Sequence, residues 1–245
     1  MSHAPLSLRR VSLAAIARSL SAGWDLFRAH PRVSCAYAAI FACVGLVLLG
    51  GVTLVGMTPL ALPLAGGFLL VGPVLLTGYF NVARVEREGG TPRFADLLAG
   101  YRQAPRELWV IALVCMFLFM VWITDAATIY SFMIGRTSVM LRDLPAHDQV
   151  LEFEFYGSLM GAALAFAIYA VSAFSVPLLF DRRASLIGAV VASVRAVFGN
   201  FVVALAWALV LAVAMIGSIL LLPLFIVVLP WLSYASYALY REFYP

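Results

Sequence analysis

A chain of 245 residues in which 64 % are hydrophobic and 11 % charged, with a mean hydropathy of +1.02, holds more apolar surface than a water-soluble core of that length can absorb, and falls in the membrane class. Its formal net charge of +4 is carried without a single lysine. A basic balance of that kind, distributed in short gaps between apolar stretches, reads as a topology signal with some attraction for anionic headgroups and excludes a nucleic-acid footprint.

The first 32 residues predict a cytoplasmic amphipathic helix, because Leu13, Ile16, Leu20, Trp24 and Phe27 recur at helical spacing. Leu6 to Ala17 has a trace of a twin-arginine export signal. Arg18 interrupts its short apolar run and no small-residue cleavage site follows, so the segment is read as mature protein.

Residues 33–245 predict a membrane domain. A hydrocarbon layer of about 30 Å takes roughly 20 helical residues per crossing. Six stretches fit: Val33 to Met57, Leu64 to Arg84, Glu107 to Met133, Tyr156 to Phe180, Asn200 to Ser218 and Leu222 to Tyr240. Together they predict an all-α, polytopic helical bundle of three hairpins, at about 33–84, 107–180 and 200–241. Six crossings place both termini on one side. Of 16 arginines, 14 share that side: Arg9, Arg10, Arg18, Arg28, Arg32, Arg84, Arg87, Arg93, Arg102, Arg106, Arg182, Arg183, Arg195 and Arg241. The positive-inside rule makes it cytoplasmic. An acidic exterior loop, about 135–155, faces the other way with Asp143, Asp148, Glu152 and Glu154.

The hairpins look like repeats. Amphipathic stretches also precede the second (Phe94, Leu97, Leu98, Tyr101) and the third (Ile187, Val190, Val194, Val197), each with an arginine near its end: Arg28, Arg102 and Arg195. Pro73, Pro177 and Pro230 fall in the second helix of each hairpin and are candidate kinks, since proline frees a backbone carbonyl. Two ridges of small residues, Gly157-Gly161-Ala165 and Ala204-Ala208-Ala212, predict close helix contacts. The turns at Thr58 to Pro63 and Gly217 to Pro223 are almost free of polar residues and barely leave the membrane.

Ionisable or polar side chains inside a bilayer are costly and mark function by default. Asp125 and Asn81 are the candidates. Asp125 lies near the exterior end of its span, where a carboxylate reaches water, and Asn81 suits an interhelical hydrogen bond. Arg84, Asp181, Arg182, Arg183 and Arg241 predict a cytoplasmic collar of ion pairs and lipid-headgroup contacts, or a docking surface. Cys35, Cys43 and Cys115 lie within spans at no metal-like spacing, as small packing residues. His3, His30 and His147 are too scattered for a haem or zinc site, and neither a nucleophile elbow nor a definable acid/base pair is present. No metal, cofactor or catalytic residue is assigned.

Gly72-Pro-Val-Leu-Leu-Thr-Gly-Tyr-Phe-Asn-Val-Ala-Arg84, Ser175-Val-Pro-Leu-Leu-Phe-Asp-Arg182, Ala192-Ser-Val-Arg-Ala-Val-Phe-Gly-Asn200 and Pro230-Trp-Leu-Ser-Tyr-Ala-Ser-Tyr-Ala-Leu-Tyr-Arg241 together resemble an uncharacterised family of bacterial integral membrane proteins, some of whose members carry a cytochrome c oxidase label. The resemblance runs from about Trp24 to Arg241 and implies a bacterial inner-membrane helical bundle. Many relatives end on a motif resembling Gly-His-Ala-Thr-Trp-His. This chain has Tyr234 and Ala238 at the two histidine positions, so no haem or metal role through those histidines applies to it.

The expected function is therefore non-enzymatic: an accessory, assembly or scaffold subunit of an inner-membrane complex, with membrane lipids and other membrane subunits as partners. A small-solute transporter or channel, or a lipid-handling protein, is the alternative.

Overall fold

The computed structural model describes residues 7–57, 76–133 and 148–245. Within these it consists of helices alone: α1 (Leu13–Ala29), α2 (Pro31–Leu54), α3 (Thr77–Arg87), α4 (Phe94–Arg102), α5 (Arg106–Met133), α6 (Asp148–Ser172), α7 (Ser175–Phe180), α8 (Leu186–Gly199), α9 (Phe201–Leu220) and α10 (Leu222–Phe243). Five candidate spans emerge: Pro31–Leu54, Arg106–Phe132, Leu151–Phe180, Phe201–Ser218 and Pro223–Phe243. Most of the remaining expected crossing, Leu64 to Arg84, lies outside the described residues, as do Pro73, the Thr58 to Pro63 turn and much of the exterior loop.

Local chemistry sets the breaks. Pro31 opens α2, where the missing N–H costs nothing, and His30 before it leaves helical geometry at φ −130°, ψ 53°. Asn200 separates α8 from α9 with nearly the same backbone, φ −128°, ψ 46°. Helix α4 starts with the Arg93 N–H donating to Asp96 Oδ2 at 2.7 Å, and α8 with Gly188 N–H donating to the Ser185 hydroxyl at 3.3 Å. Helix α3 closes with the N–H of Gly90 bonded to Val85 C=O and that of left-handed Gly89 (φ 79°) bonded to Glu86 C=O, each at 2.9 Å. Helix α7 closes with the same double bond from Arg183 to Leu178 and from Arg182 to Leu179. Here the left-handed position is filled by Arg182 at φ 53°.

Helix α6 is already formed at Asp148, the first residue described in this part of the chain and eight residues before the expected Tyr156, so it takes in the end of the stretch read as exterior loop. Its first turns are held by Phe153, whose ring packs edge-on to Tyr130 of α5 at 5.6 Å. The span then breaks at Ala173–Phe174. At this break the Ser193 hydroxyl of α8 accepts from the Phe174 N–H (3.1 Å) and donates to the Ala170 carbonyl (2.8 Å). Those two groups would pair directly in a continuous helix, so Ser193 is a side chain inserted into the i→i−4 ladder. Pro177, which lacks a donor for the Ala173 carbonyl, follows within a turn. Pro230 instead lies inside α10, which continues through it.

The bundle has inner and outer helices. Only 12, 22 and 28 % of the apolar stretches of α2, α5 and α9 are buried, against 50 % for the α6–α7 span and 61 % for α10. Helices α2 and α9 pack on α10, and α5 packs on α6. Of the two small-residue ridges, Gly161 does bring α5 close: a Cβ there would stand 3.0 Å from the Trp122 ring. On α9 the buried face is instead Val203, Ala204, Trp207, Met215 and Ser218, leaving Ala212 exposed. Cys115 is buried but Cys43 is exposed, so Cys43 does not pack inside this chain.

Helices α1, α4 and α8 bury small residues together with only part of the apolar stripes read from the sequence. On α1 the buried positions are Ala15, Ile16, Ser19, Gly23 and Phe27, while Leu13 and Trp24 are exposed. On α4 they are Leu97 and Gly100, with Phe94 and Leu98 exposed; on α8 they are Ala189, Ala192, Ser193, Ala196 and Val197, with Ile187 exposed. In an apolar surrounding a large side chain gains little by turning inward, whereas small residues let two backbones approach. Helix α1 lies on α10, α4 on α3, and α8 on α6 and α7.

Candidate functional site: the arginine-rich end

The ends of the inner helices meet in one cluster. Phe80 of α3 packs against Phe180 of α7 at 6.1 Å and stacks on Tyr237 of α10 at 5.2 Å. Directly beyond these rings lies Asp181. Tyr237 donates to both of its carboxylate oxygens (2.9 and 3.2 Å) and Tyr240 donates to one (3.1 Å). Arg241 stands farther away, 3.9 Å from Asp181 Oδ2, and its side chain keeps 38 % of its exposure. Tyrosine hydroxyls, rather than arginines, satisfy this carboxylate.

The collar residues divide into two groups. Arg84 donates to Asn81 Oδ1 at 2.6 Å and lies over the Phe180 ring at 4.8 Å. Arg183 donates to the Tyr240 hydroxyl (3.3 Å) and to the carbonyl oxygens of Tyr244 (2.6 Å) and Pro245 (2.8 Å), pinning the chain after α10. By contrast Arg182 is exposed at the left-handed turn, and among the described residues Arg241 makes only the long contact. Asn81, 3 % exposed, donates from Nδ2 to the Asp96 carbonyl of α4 at 2.7 Å, an interhelical bond.

The helices around this end are tied by further polar contacts. Ser34 donates to the His30 carbonyl at 2.8 Å, so the Tyr234 hydroxyl, 2.8 Å away, donates to Ser34 Oγ; Tyr79 donates to the Ser34 carbonyl at 3.2 Å. Trp231 Nε1 donates to the Leu20 carbonyl of α1 at 2.8 Å. His30 Nε2 and Glu86 Oε2 lie 2.7 Å apart. Arg18 pairs with Glu242 at 3.2 Å, and that hydrogen bond together with the carboxylate charge raises the Arg18 pKa. Burial pushes the Tyr244 phenol up to about 12, against the opposing pull of Arg195, and its hydroxyl donates to the Ala192 carbonyl at 2.8 Å. The beginning and end of the described chain lie together: Arg9 N–H donates to Phe243 C=O at 3.0 Å and Val11 N–H to Asn200 Oδ1 at 3.0 Å.

Asp125 is not part of this cluster. It is half-buried on α5, 19 residues after Arg106, about 28 Å along the helix at 1.5 Å per residue. Among the described residues it has no hydrogen-bond or ion-pair partner. Among the described residues, too, no group of three His, Cys, Asp or Glu side chains is placed to hold a metal ion. The sequence reading missed Ser193, Ser34 and the Ala15-Ser19-Gly23 face of α1. The last had a legible signal, small residues four apart, the same rule that picked out Gly157 and Gly161.

Helices of this length and apolarity, with a surface that stays apolar outside its polar end, define an integral membrane protein of the polytopic α-helical class. Residues 61–181, about half of the chain, match the model of the family described as "Predicted integral membrane protein (DUF2189)", and over those residues the chain belongs to that family. The match takes in α3 to α7 and Asp181; the resembling stretches at Ala192 to Asn200 and Pro230 to Arg241 lie beyond it. Neither a curated protein nor a solved structure matches the chain.

Proposed function

We propose that the chain is a non-enzymatic accessory, assembly or scaffold subunit of a larger bacterial inner-membrane complex, with both termini in the cytoplasm. One observation carries this reading. Asn81, Arg84, Asp181 and Arg183 are engaged with neighbouring side chains and with backbone, and the inner helices meet there through Phe80, Phe180 and Tyr237, while α2, α5 and α9 turn most of their apolar surface outward. Such a body offers faces for partner helices and lipid rather than a reaction chamber.

The order of contacts supports a three-unit plan beneath it. Each of α1, α4 and α8 packs on the second helix of the preceding hairpin, and for α1 the preceding hairpin is the last one, so the plan closes on itself. The matching backbone at His30 and Asn200, each between such a helix and the following span, points the same way.

The test is purification from native membranes in mild detergent followed by native mass spectrometry. Defined partner subunits in fixed stoichiometry are the expected result. A monodisperse, partner-free particle retained under the mildest conditions would remove the scaffold reading and bring transport forward, with Asp125 as its first residue to replace.

A further inference from the structure

We infer that the arginine-rich end holds the phosphate of an anionic phospholipid, gripped by Arg87, Arg182 and Arg241 around Asp181. The argument does not depend on which complex, if any, the protein serves.

Charge comes first. Fourteen arginines share this end in the predicted topology, against seven carboxylates: Asp25, Glu86, Glu88, Asp96, Glu107, Asp181 and Glu242. Several of those carboxylates are already engaged: Glu86 by His30, Glu242 by Arg18, Asp96 by the start of α4, and Asp181 by two tyrosine hydroxyls. Because Tyr237 and Tyr240 satisfy Asp181, Arg241 is not needed to neutralise it by close contact and stands 3.9 Å off, partly in the open.

Placement is the second part. Arg87 is exposed in the last turn of α3, the helix whose Phe80 stacks on Tyr237, and the Tyr237 hydroxyl donates to Asp181. Arg182 follows Asp181 directly and is held by its left-handed backbone with its side chain exposed. Three arginines thus stand at or just past the ends of α3, α7 and α10, the helices that meet beside one internally satisfied carboxylate. Planar guanidinium groups bind phosphate oxygens in pairs of hydrogen bonds.

The third part decides between a lipid phosphate and a free one. Leu13, Trp24, Phe94, Leu98 and Ile187 are exposed on α1, α4 and α8, the helices packed against α10, α3 and α7. Trp and Phe beside arginine at the ends of spans suit the headgroup boundary. A ligand with acyl chains gains from both surfaces; inorganic or glycerol phosphate gains only from the arginines.

The experiment uses the full chain in mild detergent, titrated with phosphatidylglycerol, phosphatidylcholine or glycerol 3-phosphate, and read by lipid adducts in native mass spectrometry and by thermal unfolding. Phosphatidylglycerol should bind and stabilise preferentially, with an affinity that falls as salt rises. The R87Q/R241Q variant should bind it roughly thirtyfold more weakly, since each basic residue at an anionic surface contributes about a fivefold affinity, while R87K/R241K retains most of the binding. Equal binding of phosphatidylglycerol and phosphatidylcholine by the native chain, unaffected by salt, would overturn the site, and this arm needs no variant to fold. Undiminished phosphatidylglycerol binding by a folded R87Q/R241Q variant would also overturn it. Glycerol 3-phosphate binding as tightly as the lipid would overturn the lipid assignment.

Discussion

Gly23 of α1 lies so close to α10 that a Cβ at this position would stand 2.6 Å from the Ala235 amide nitrogen and 2.8 Å from the Trp231 carbonyl oxygen. Both are backbone atoms and cannot swing aside. Gly23→Ala should therefore push the helices apart and destabilise the fold by about 1–3 kcal/mol, the usual cost of overpacking, with Gly23→Leu worse. Unfolding of the purified variants in detergent checks this, and an unchanged midpoint for Gly23→Leu would show that α1 does not dock as described.

Ser193 has two hydrogen bonds to lose, both at the interruption between α6 and α7. Ser193→Ala should cost about 1–3 kcal/mol, the penalty for buried backbone groups left unpaired, and amide exchange should quicken at Phe174. If protection at Phe174 rises instead, the freed N–H has re-paired with Ala170 and the serine, not Pro177, was keeping the helix open.

For Asp181, the expected order is set by its partners. Asp181→Ala strands two tyrosine hydroxyls and should destabilise by about 2–3 kcal/mol, whereas Tyr237→Phe removes one donor from a carboxylate that keeps another and should cost about 1–2 kcal/mol. A Tyr237→Phe effect as large as that of Asp181→Ala would mean that Tyr240 contributes nothing.

Arg182 carries a Cβ in the left-handed region, φ 53°, at the position that glycine fills after α3. Relief of that strain, about 1–2 kcal/mol, outweighs the extra freedom glycine gives the unfolded chain. Arg182→Gly should thus be neutral or stabilising by up to about 1 kcal/mol in equilibrium unfolding, even as it removes a charge from the lipid site. Clear destabilisation would show that the side chain has a structural partner.

Tyr244 links stability to alkaline pH. Its phenol is raised from 10.0 to about 12 by burial, so the protonated form is favoured by folding; the contribution is complete below pH 10 and lost as pH climbs towards 12. The difference in tyrosinate absorbance between the native chain and Tyr244→Phe should appear only near pH 12. Its appearance near pH 10 would place the ring in water.

The membrane class and the helical architecture were legible because hydropathy acts over whole segments, and averages over twenty residues are robust. The faces of α1, α4 and α8 were not. The sequence reading gave Leu13, Trp24 and Phe94 only as members of apolar stripes; in the fold all three are exposed, and Ala15, Ser19, Gly23 and Gly100 are buried at the contacts. The collar residues were named from the sequence as a set, which carried no sign of their division. Arg241 stays clear of Asp181, whose oxygens are taken by Tyr237 and Tyr240, and those three come together only in the fold.

The contact between α1 and α10 also fixes when this protein can finish folding. Leu20 and Trp231, joined by a hydrogen bond, are 211 residues apart, so α1 must wait for α10 to be made. At about 5–20 residues per second, synthesis keeps them apart for roughly 10–40 seconds. Throughout that time the small-residue face of α1 is bare at the membrane surface, where any early helix that fits it competes with its proper partner. Truncations that stop before Trp231 should leave the amino-terminal helix open to protease, and completing the last span is the event that closes it.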